Sequence, residues 1–318
     1  CVLGMVVNRE REIREFVKTP FYRVLAEIPI DDNVLECEWK AVENTKYFGS
    51  PRLYKENGFR EKKDAKELIS MLMEPPAPAV LESVEKKKEN KNPPLLYNLA
   101  ELQNECSKRF KISPDETLRI VQEMYEKKLV TYPRTDARVL SAAVAKEINK
   151  NLNGLMKYEP AVPFLKDIVG FGSHKGLEKT RYVNDKQITD HYAIIPTGQG
   201  LNVLSSLPEL SGKVYDVIVR RFLSIFYPPA VYQKIQIVTK MRQESFFASF
   251  KVLVEEGYLK VAKALEQKKE TIKEGGNNPE DGGENEGTQG RTDAAFFQKL
   301  QALKKGMKLP VQSLEIKE

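Results

Sequence analysis

Leu129-Val130-Thr131-Tyr132-Pro133-Arg134-Thr135-Asp136 is the stretch on which the reading of the chain turns. Leu129, Val130 and Thr131 favour β structure. Pro133 fixes its own φ and disfavours helical backbone at Tyr132 before it. The phenol is therefore expected on a stiff, extended segment. In extended backbone, residues two apart share a side, which would turn Tyr132 and Arg134 toward one site. A phenol can act as a nucleophile, and a planar guanidinium binds a phosphate and offsets the charge that builds on it. Together they suit attack on a phosphodiester. For an isolated Tyr-x-Arg a plainer reading would prevail: a packed tyrosine beside a surface arginine.

The surroundings sharpen the choice. Upstream, Ser113-Pro114-Asp115-Glu116 is a helix-start signal with proline at the first helical position, and the helix runs to Lys128. Leu118, Val121, Met124 and Tyr125 are expected on its buried side. Before it, Asn98-Leu99-Ala100-Glu101 is a capping-box pattern, followed by Leu99, Leu102, Cys106 and Phe110 at helical spacing, with Cys106 a small core residue. Downstream, Leu140, Val144, Ile148 and Leu152 recur every fourth residue and predict another helix. Val214, Val217, Ile218, Phe222 and Ile225 predict a long one.

A second constellation follows at Thr189-Asp190-His191-Tyr192-Ala193-Ile194-Ile195-Pro196-Thr197-Gly198. A lone histidine is more often structural than catalytic. Asp190 could raise its pKa, and a cationic imidazole beside a phosphate would hold substrate or help move protons. The only other histidine, His174, stands in a glycine-rich loop and is expected to be exposed.

Both flanks of this helical region read as β-rich. Residues 3–17 form a helix ended by Pro20; 21–28 and 34–39 form a hairpin about Asp31-Asp32-Asn33; 64–72 form a short helix broken by the prolines at 75–78. From Val80 a strand leads into an exposed basic loop at Lys86-Lys87-Lys88, which is either a solvated face or a phosphate contact. After Tyr227-Pro228-Pro229 come strands at 231–239 and 246–254, then a last strand at 307–316. The segment from 267 to 291 is polar and glycine-rich and is expected to be a disordered loop. The simplest organisation is a helical domain inserted into a β-rich one.

Composition sets outer limits. The chain has 318 residues, 41% hydrophobic and 30% charged, with a formal net charge of +6. That is a globular balance with a mild basic excess, compatible with a polyanion partner. Cys1, Cys37 and Cys106 are scattered, without a CxxC pair, which argues against a zinc site or disulfide framework and for a reducing, cytoplasmic setting. There is no apolar run of membrane-spanning length and no signal peptide. The opening Cys1-Val2-Leu3-Gly4-Met5-Val6-Val7 looks like the interior of a longer chain.

The octapeptide and its leading helix resemble the nucleophile segment of type IA DNA topoisomerases, in particular the topoisomerase III branch. The His191 segment is similar to that family's second signature: histidine, one variable residue, then Ala-Ile-x-Pro-Thr. Relatives in this branch often carry His-His where this chain has His191-Tyr192. The resemblance extends over essentially the whole chain. It implies an α+β fold: a β-rich arch with an inserted, mainly helical nucleophile domain, part of a toroidal molecule. Residues 1–18 would then end a helix from a base domain absent from this sequence, 19–80 and 227–318 would form the arch, and 81–226 the nucleophile domain. It also implies transesterification through a 5′-phosphotyrosine, without ATP. Tyr132 would be the nucleophile and Arg134 its phosphate stabiliser; His191 would contact DNA. Thr135 and Asp136 would fix Arg134 and the backbone, or simply pack, and Lys86, Lys87 and Lys88 would be DNA contacts. The family's Mg²⁺ ligands, an Asp-x-Asp-x-Glu cluster in a Toprim domain, do not occur in this sequence. No cofactor is therefore expected in the chain itself, which would be a fragment able to bind single-stranded DNA but not to relax supercoils. The implied setting is a monomer in the cytoplasm, associated with the nucleoid, with neither a membrane nor a small-molecule substrate as partner. Two other readings compete: a tyrosine recombinase-like strand transferase, and a non-catalytic nucleic-acid-binding module. The recombinase would need an Arg-His-x-x-Arg motif ahead of a tyrosine near the C-terminus, and the binding module leaves the two signatures unexplained.

Overall fold

The computed structural model describes residues 2–263 and 294–318; the loop expected at 267–291 lies outside them. Within these residues the chain forms two compact units. One comprises 2–89, 233–252 and 294–318; the other comprises 90–232 and 253–263. The helical unit is thus inserted into the β-rich one, although the division does not coincide residue for residue with the expected 81–226.

The chain begins with α1 (Val2–Arg14), which buries none of its side chains. Then come β1 (Arg23–Ile30), β2 (Asn33–Lys40), a small hairpin of β3 (Leu53–Lys55) and β4 (Gly58–Phe59), α2 (Lys62–Met73) and β5 (Ala79–Lys91). The helical region holds α3 (Leu99–Phe110), α4 (Pro114–Glu126), α5 (Ala142–Leu155), α6 (Val162–Phe171) and α7 (Glu209–Ser224). Strands β6 (Ala230–Met241) and β7 (Glu244–Glu255) return, followed by α8 (Leu259–Lys263), α9 (Ala294–Ala302), β8 (Lys308–Leu309) and β9 (Ser313–Lys317).

Seven strands make one sheet in the order β8-β5-β6-β7-β2-β1-β9. The β1–β2 hairpin is antiparallel, pairing Ile30 with Asn33 and Leu25 with Glu38. Its two-residue turn is possible because Asp31 accepts a left-handed backbone at φ 50°. On the sheet's covered face, Leu35, Cys37, Trp39, Ile235, Ile237 and Phe246 meet α2 through Leu68 and Leu72 and α9 through Leu300. Trp39 stacks on Phe59 at 4.8 Å and 11°, with Tyr47 edge-on to both rings. The indole N–H donates to buried Glu244 at 2.8 Å. Burial pushes the Cys37 thiol up to about 12.

In the second unit the core is helical: Leu102, Cys106, Val121, Met124, Ile148, Leu152, Ile218 and Phe222, together with Ile194. Cys106 is the buried core residue expected, its thiol pushed up to about 12 by burial. The helix starts are as read: Asn98 accepts from the Glu101 N–H at 2.9 Å and Ser113 from the Glu116 N–H at 3.1 Å.

Several expectations are corrected. The basic loop does not exist: β5 continues through Lys86, Lys87 and Lys88 to Lys91 as one strand. Three consecutive lysines hide the two-residue period, because side chains on both faces of the projecting strand are solvated. Leu140 precedes its helix, which starts after the cap Ser141; Leu140 instead bridges to Val183. The final strand is two short ones, separated at Pro310, which has no N–H to pair. The α1 helix stops at Arg14 rather than at residue 17. His174 is half-buried, with its Nδ1 enclosed and unpartnered. Hairpin β3–β4 and helices α6, α8 and α9 carry no signal among the sequence patterns above.

Candidate active site

The Tyr132 and His191 segments are tied together by the backbone. Val130 and Pro196 form an antiparallel bridge, and so do Tyr97 and Ile194. The Thr131 N–H donates to Ile195 O at 3.0 Å. The Thr131 hydroxyl donates to Ala193 O and accepts from the Ile195 N–H, both at 3.0 Å. Thr135, 7% exposed, donates its hydroxyl to His191 O at 2.8 Å and accepts from the Ala137 N–H at 3.1 Å. A threonine thus sits on each side of Tyr132 and clamps the second segment to the first. Each hydroxyl, Thr135 buried and Thr131 half-buried, is satisfied as both donor and acceptor, which fixes its rotamer.

The clamp brings the side chains together. The rings of Tyr132 and His191 lie 4.3 Å apart between centroids, tilted by 43°. Tyr125, at the end of α4, meets Tyr132 edge-on at 5.3 Å and 80°. These rings open into a cleft of about 360 Å³, whose walls also include Lys128, Tyr192 and Gln199. Among the described residues no carboxylate lines it. Tyr192 is half-buried, and burial raises its phenol pKa, keeping it neutral.

The loop after His191 is held by close approach. Gly198 has φ +77°, and a Cβ on Gly154 of α5 would sit 2.4 Å from Gly198 O. Asn151 donates its side-chain N–H to Pro196 O at 2.9 Å, and the Thr197 N–H donates to Leu129 O at 3.0 Å.

Other candidates stand differently. The backbone bends at Arg134 instead of running extended: the Thr135 N–H donates to Pro133 O at 3.0 Å and closes a tight turn around it. Two-residue alternation fails across a bend, so Arg134 is exposed beside the cleft segment but does not line the cleft. Asp136 is exposed, and its carbonyl accepts from the Asn98 side chain at 3.1 Å. Asp190 is exposed and forms no ion pair with His191 among the described residues. Lys86, Lys87 and Lys88 belong to the other compact unit. Lys86 donates to Gln301 O, Lys87 pairs with Glu85 at 2.8 Å, and Lys88 is exposed. That hydrogen bond from Lys87 lowers the Glu85 pKa.

Tyr125 is the correction with most consequence. Expected on the buried side of α4, it is 40% exposed. The buried stripe is Thr117, Ile120, Val121 and Met124, which is complete at helical spacing without Tyr125. That spacing was the available signal. Lys128 was absent from the expected site residues because a lysine ending a helix is usually a solvated cap.

Among the described residues, no three His, Cys, Asp or Glu side chains gather to hold a metal ion. These residues do not make a magnesium site, and no chemical step is derived through one. No described helix is long and apolar enough to cross a membrane.

A tyrosine segment clamped to a histidine segment, inside a helical unit inserted in sequence within a β-rich one, is an organisation shared with DNA topoisomerases. The chain belongs to the DNA topoisomerase family, whose family model matches residues 1–318. Within the family it is similar to type IA enzymes of the topoisomerase III kind. It is 34% identical over 271 residues to DNA topoisomerase 3 of Bacillus subtilis, covering 83% of this chain and 34% of that protein. It is 32% identical over 258 residues to DNA topoisomerase 3 of Bacillus licheniformis, covering 80% and 32%. The fold matches full-length topoisomerase I from Thermotoga maritima with TM-score 0.57 at 20% identity, over 99% of this chain and 43% of that one. The chain spans about a third of the length of the curated relatives it matches.

Proposed function

We propose that this chain is the strand-cleaving part of a type IA topoisomerase, with Tyr132 as nucleophile. Its phenol oxygen attacks a phosphodiester of a single DNA strand. A phosphorus–oxygen bond forms to Tyr132 and the bond to the 3′ oxygen breaks, leaving a 5′-phosphotyrosine and a 3′-hydroxyl. The phenol proton is lost and the departing oxygen gains one. Reversal reseals the strand, and the phosphotyrosine bond conserves the energy, so no ATP is consumed.

The observation that carries this reading is the Tyr132 ring packed at 4.3 Å on His191 in a cleft open to solvent. A free phenol has pKa near 10, so attack needs a held oxygen and nearby cationic help. Thr131 and Thr135 hold the backbone on either side of Tyr132. His191 would contact the phosphates, and Arg134 would reach the scissile phosphate from its exposed turn once DNA lies across the cleft. Asp136 orients that turn, and Lys86, Lys87 and Lys88 add phosphate contacts from the β-rich unit, which would be the arch of the parent enzyme. Magnesium would be supplied from elsewhere in the longer polypeptide. The enzyme would act as a monomer on single-stranded DNA at the nucleoid, in the cytoplasm.

The test is covalent trapping with the complete polypeptide that carries this chain. A single-stranded oligonucleotide labelled at its 3′ end is incubated with protein and quenched with detergent. Label that migrates with the protein, and is lost in Tyr132→Phe, supports the assignment. Retention of a 5′-end label instead would mean a 3′-phosphotyrosine, as in a recombinase, and would overturn it.

A further inference from the structure

Lys128 lies one residue past the C-cap of α4 and has φ +62°. That left-handed conformation is unfavourable for a residue with a Cβ, and glycine or asparagine is the usual occupant. A lysine in this conformation is not by itself a signal: Lys111 ends α3 at φ +59°. What separates Lys128 is its place. It lines the Tyr132 cleft, its carbonyl accepts from the Thr197 hydroxyl, and its side chain is exposed. Neighbouring Lys127 pairs with Glu123 at 3.7 Å, whereas Lys128 has no carboxylate partner among the described residues. Among the described residues the cleft walls contain no acidic side chain, and Arg134 is not among them. Among the described residues Lys128 is therefore the one permanent charge lining the cleft, without a carboxylate partner and beside Tyr132.

We infer that Lys128 binds a phosphate of the bound single strand next to the one attacked, a contact charge alone can make. This rests on Tyr132 being the nucleophile. An ammonium is a point charge that suits such a backbone contact without reading sequence. The Thr197 bond to its carbonyl fixes the helix end, so the side chain starts from a set position.

The test measures binding of a fluorescent oligothymidylate to this chain by anisotropy across salt, for the parent, Lys128→Gly and Lys128→Arg. Glycine suits the backbone conformation, so Lys128→Gly should melt at or above the parent temperature. A purely structural lysine would then leave binding unchanged. The expected result is affinity lower by about five- to tenfold at low salt, with a log–log salt slope shallower by about 0.7. Lys128→Arg should retain most of the affinity. Parent-like affinity and slope in Lys128→Gly would overturn the inference, as would equal losses in both variants or a parent that does not bind. Covalent trapping by Tyr132 is a separate readout, so failure of the nucleophile assignment would be seen there and not in this titration.

Discussion

At the residue scale, the site depends on hydroxyls as much as on rings. Thr135 is buried, and its side chain holds the His191 carbonyl while taking the Ala137 N–H. Thr135→Val keeps the shape and removes both bonds, leaving a buried N–H without its acceptor. The expected cost is about 1–3 kcal/mol, read from urea melts. Adduct formation should fall further than that loss accounts for, because His191 is released from Tyr132. If the adduct yield followed folded fraction alone, Thr135 would be a packing residue with no part in placing His191. The sequence suggested that Thr135 fixes something, but it named Arg134 and the backbone as its target. The bond to His191 was illegible because it joins residues far apart in the chain, and no periodic pattern encodes such a pairing.

At the element scale, periodicity was readable wherever one face is buried and one is wet. The β1–β2 hairpin, α2, α3 and α4 announce themselves this way, with caps at Asn98 and Ser113 where the side chains allow. Legibility failed where solvent surrounds an element, as in the lysine half of β5, and where Tyr125 and Met124 are adjacent in sequence but face different surroundings. It failed again at close contacts between elements, which glycine makes silently. Gly154 of α5 meets Gly198 of the loop carrying Thr197 and Gln199, and an added Cβ would lie 2.4 Å from Gly198 O. That atom is backbone and cannot rotate away. Gly154→Ala is therefore expected to push the loop off α5 and cost about 1–3 kcal/mol in thermal or urea melts. The same variant should lower covalent adduct yield, since the loop continues from His191. Gly170→Ala on α6, where a Cβ meets nothing, serves as the matched control and should stabilise slightly or leave stability unchanged.

At the scale of the whole molecule, burial sets how stability responds to pH. Glu244 is 1% exposed, and its pKa is raised, chiefly by burial, with the Trp39 N–H opposing. A carboxyl whose folded pKa is raised contributes most below its unfolded value near 4.3, and that contribution fades as pH rises through the folded pKa. Parent stability relative to Glu244→Gln should therefore increase as pH falls from about 7 toward about 4.5, the amide being unable to titrate while still accepting from Trp39. A difference independent of pH in paired urea melts would place Glu244 in a well-hydrated site and contradict its burial. The same scale decides what the chain can do unaided. It carries a net charge of +6, with Tyr132 in an open cleft and the Lys128 ammonium beside it, features that favour a polyanion. Relaxation asks for more: an acid for the departing 3′ oxygen and a means of keeping the broken ends apart while another strand passes. Among the described residues no carboxylate faces Tyr132 across the cleft and no metal-binding cluster is formed. The chain alone is therefore expected to shift single-stranded oligonucleotides in a gel, increasingly as salt is lowered, and to leave a negatively supercoiled plasmid unrelaxed under the same conditions. Relaxation by the purified chain that disappears in Tyr132→Phe would show that these residues already contain the whole catalytic apparatus.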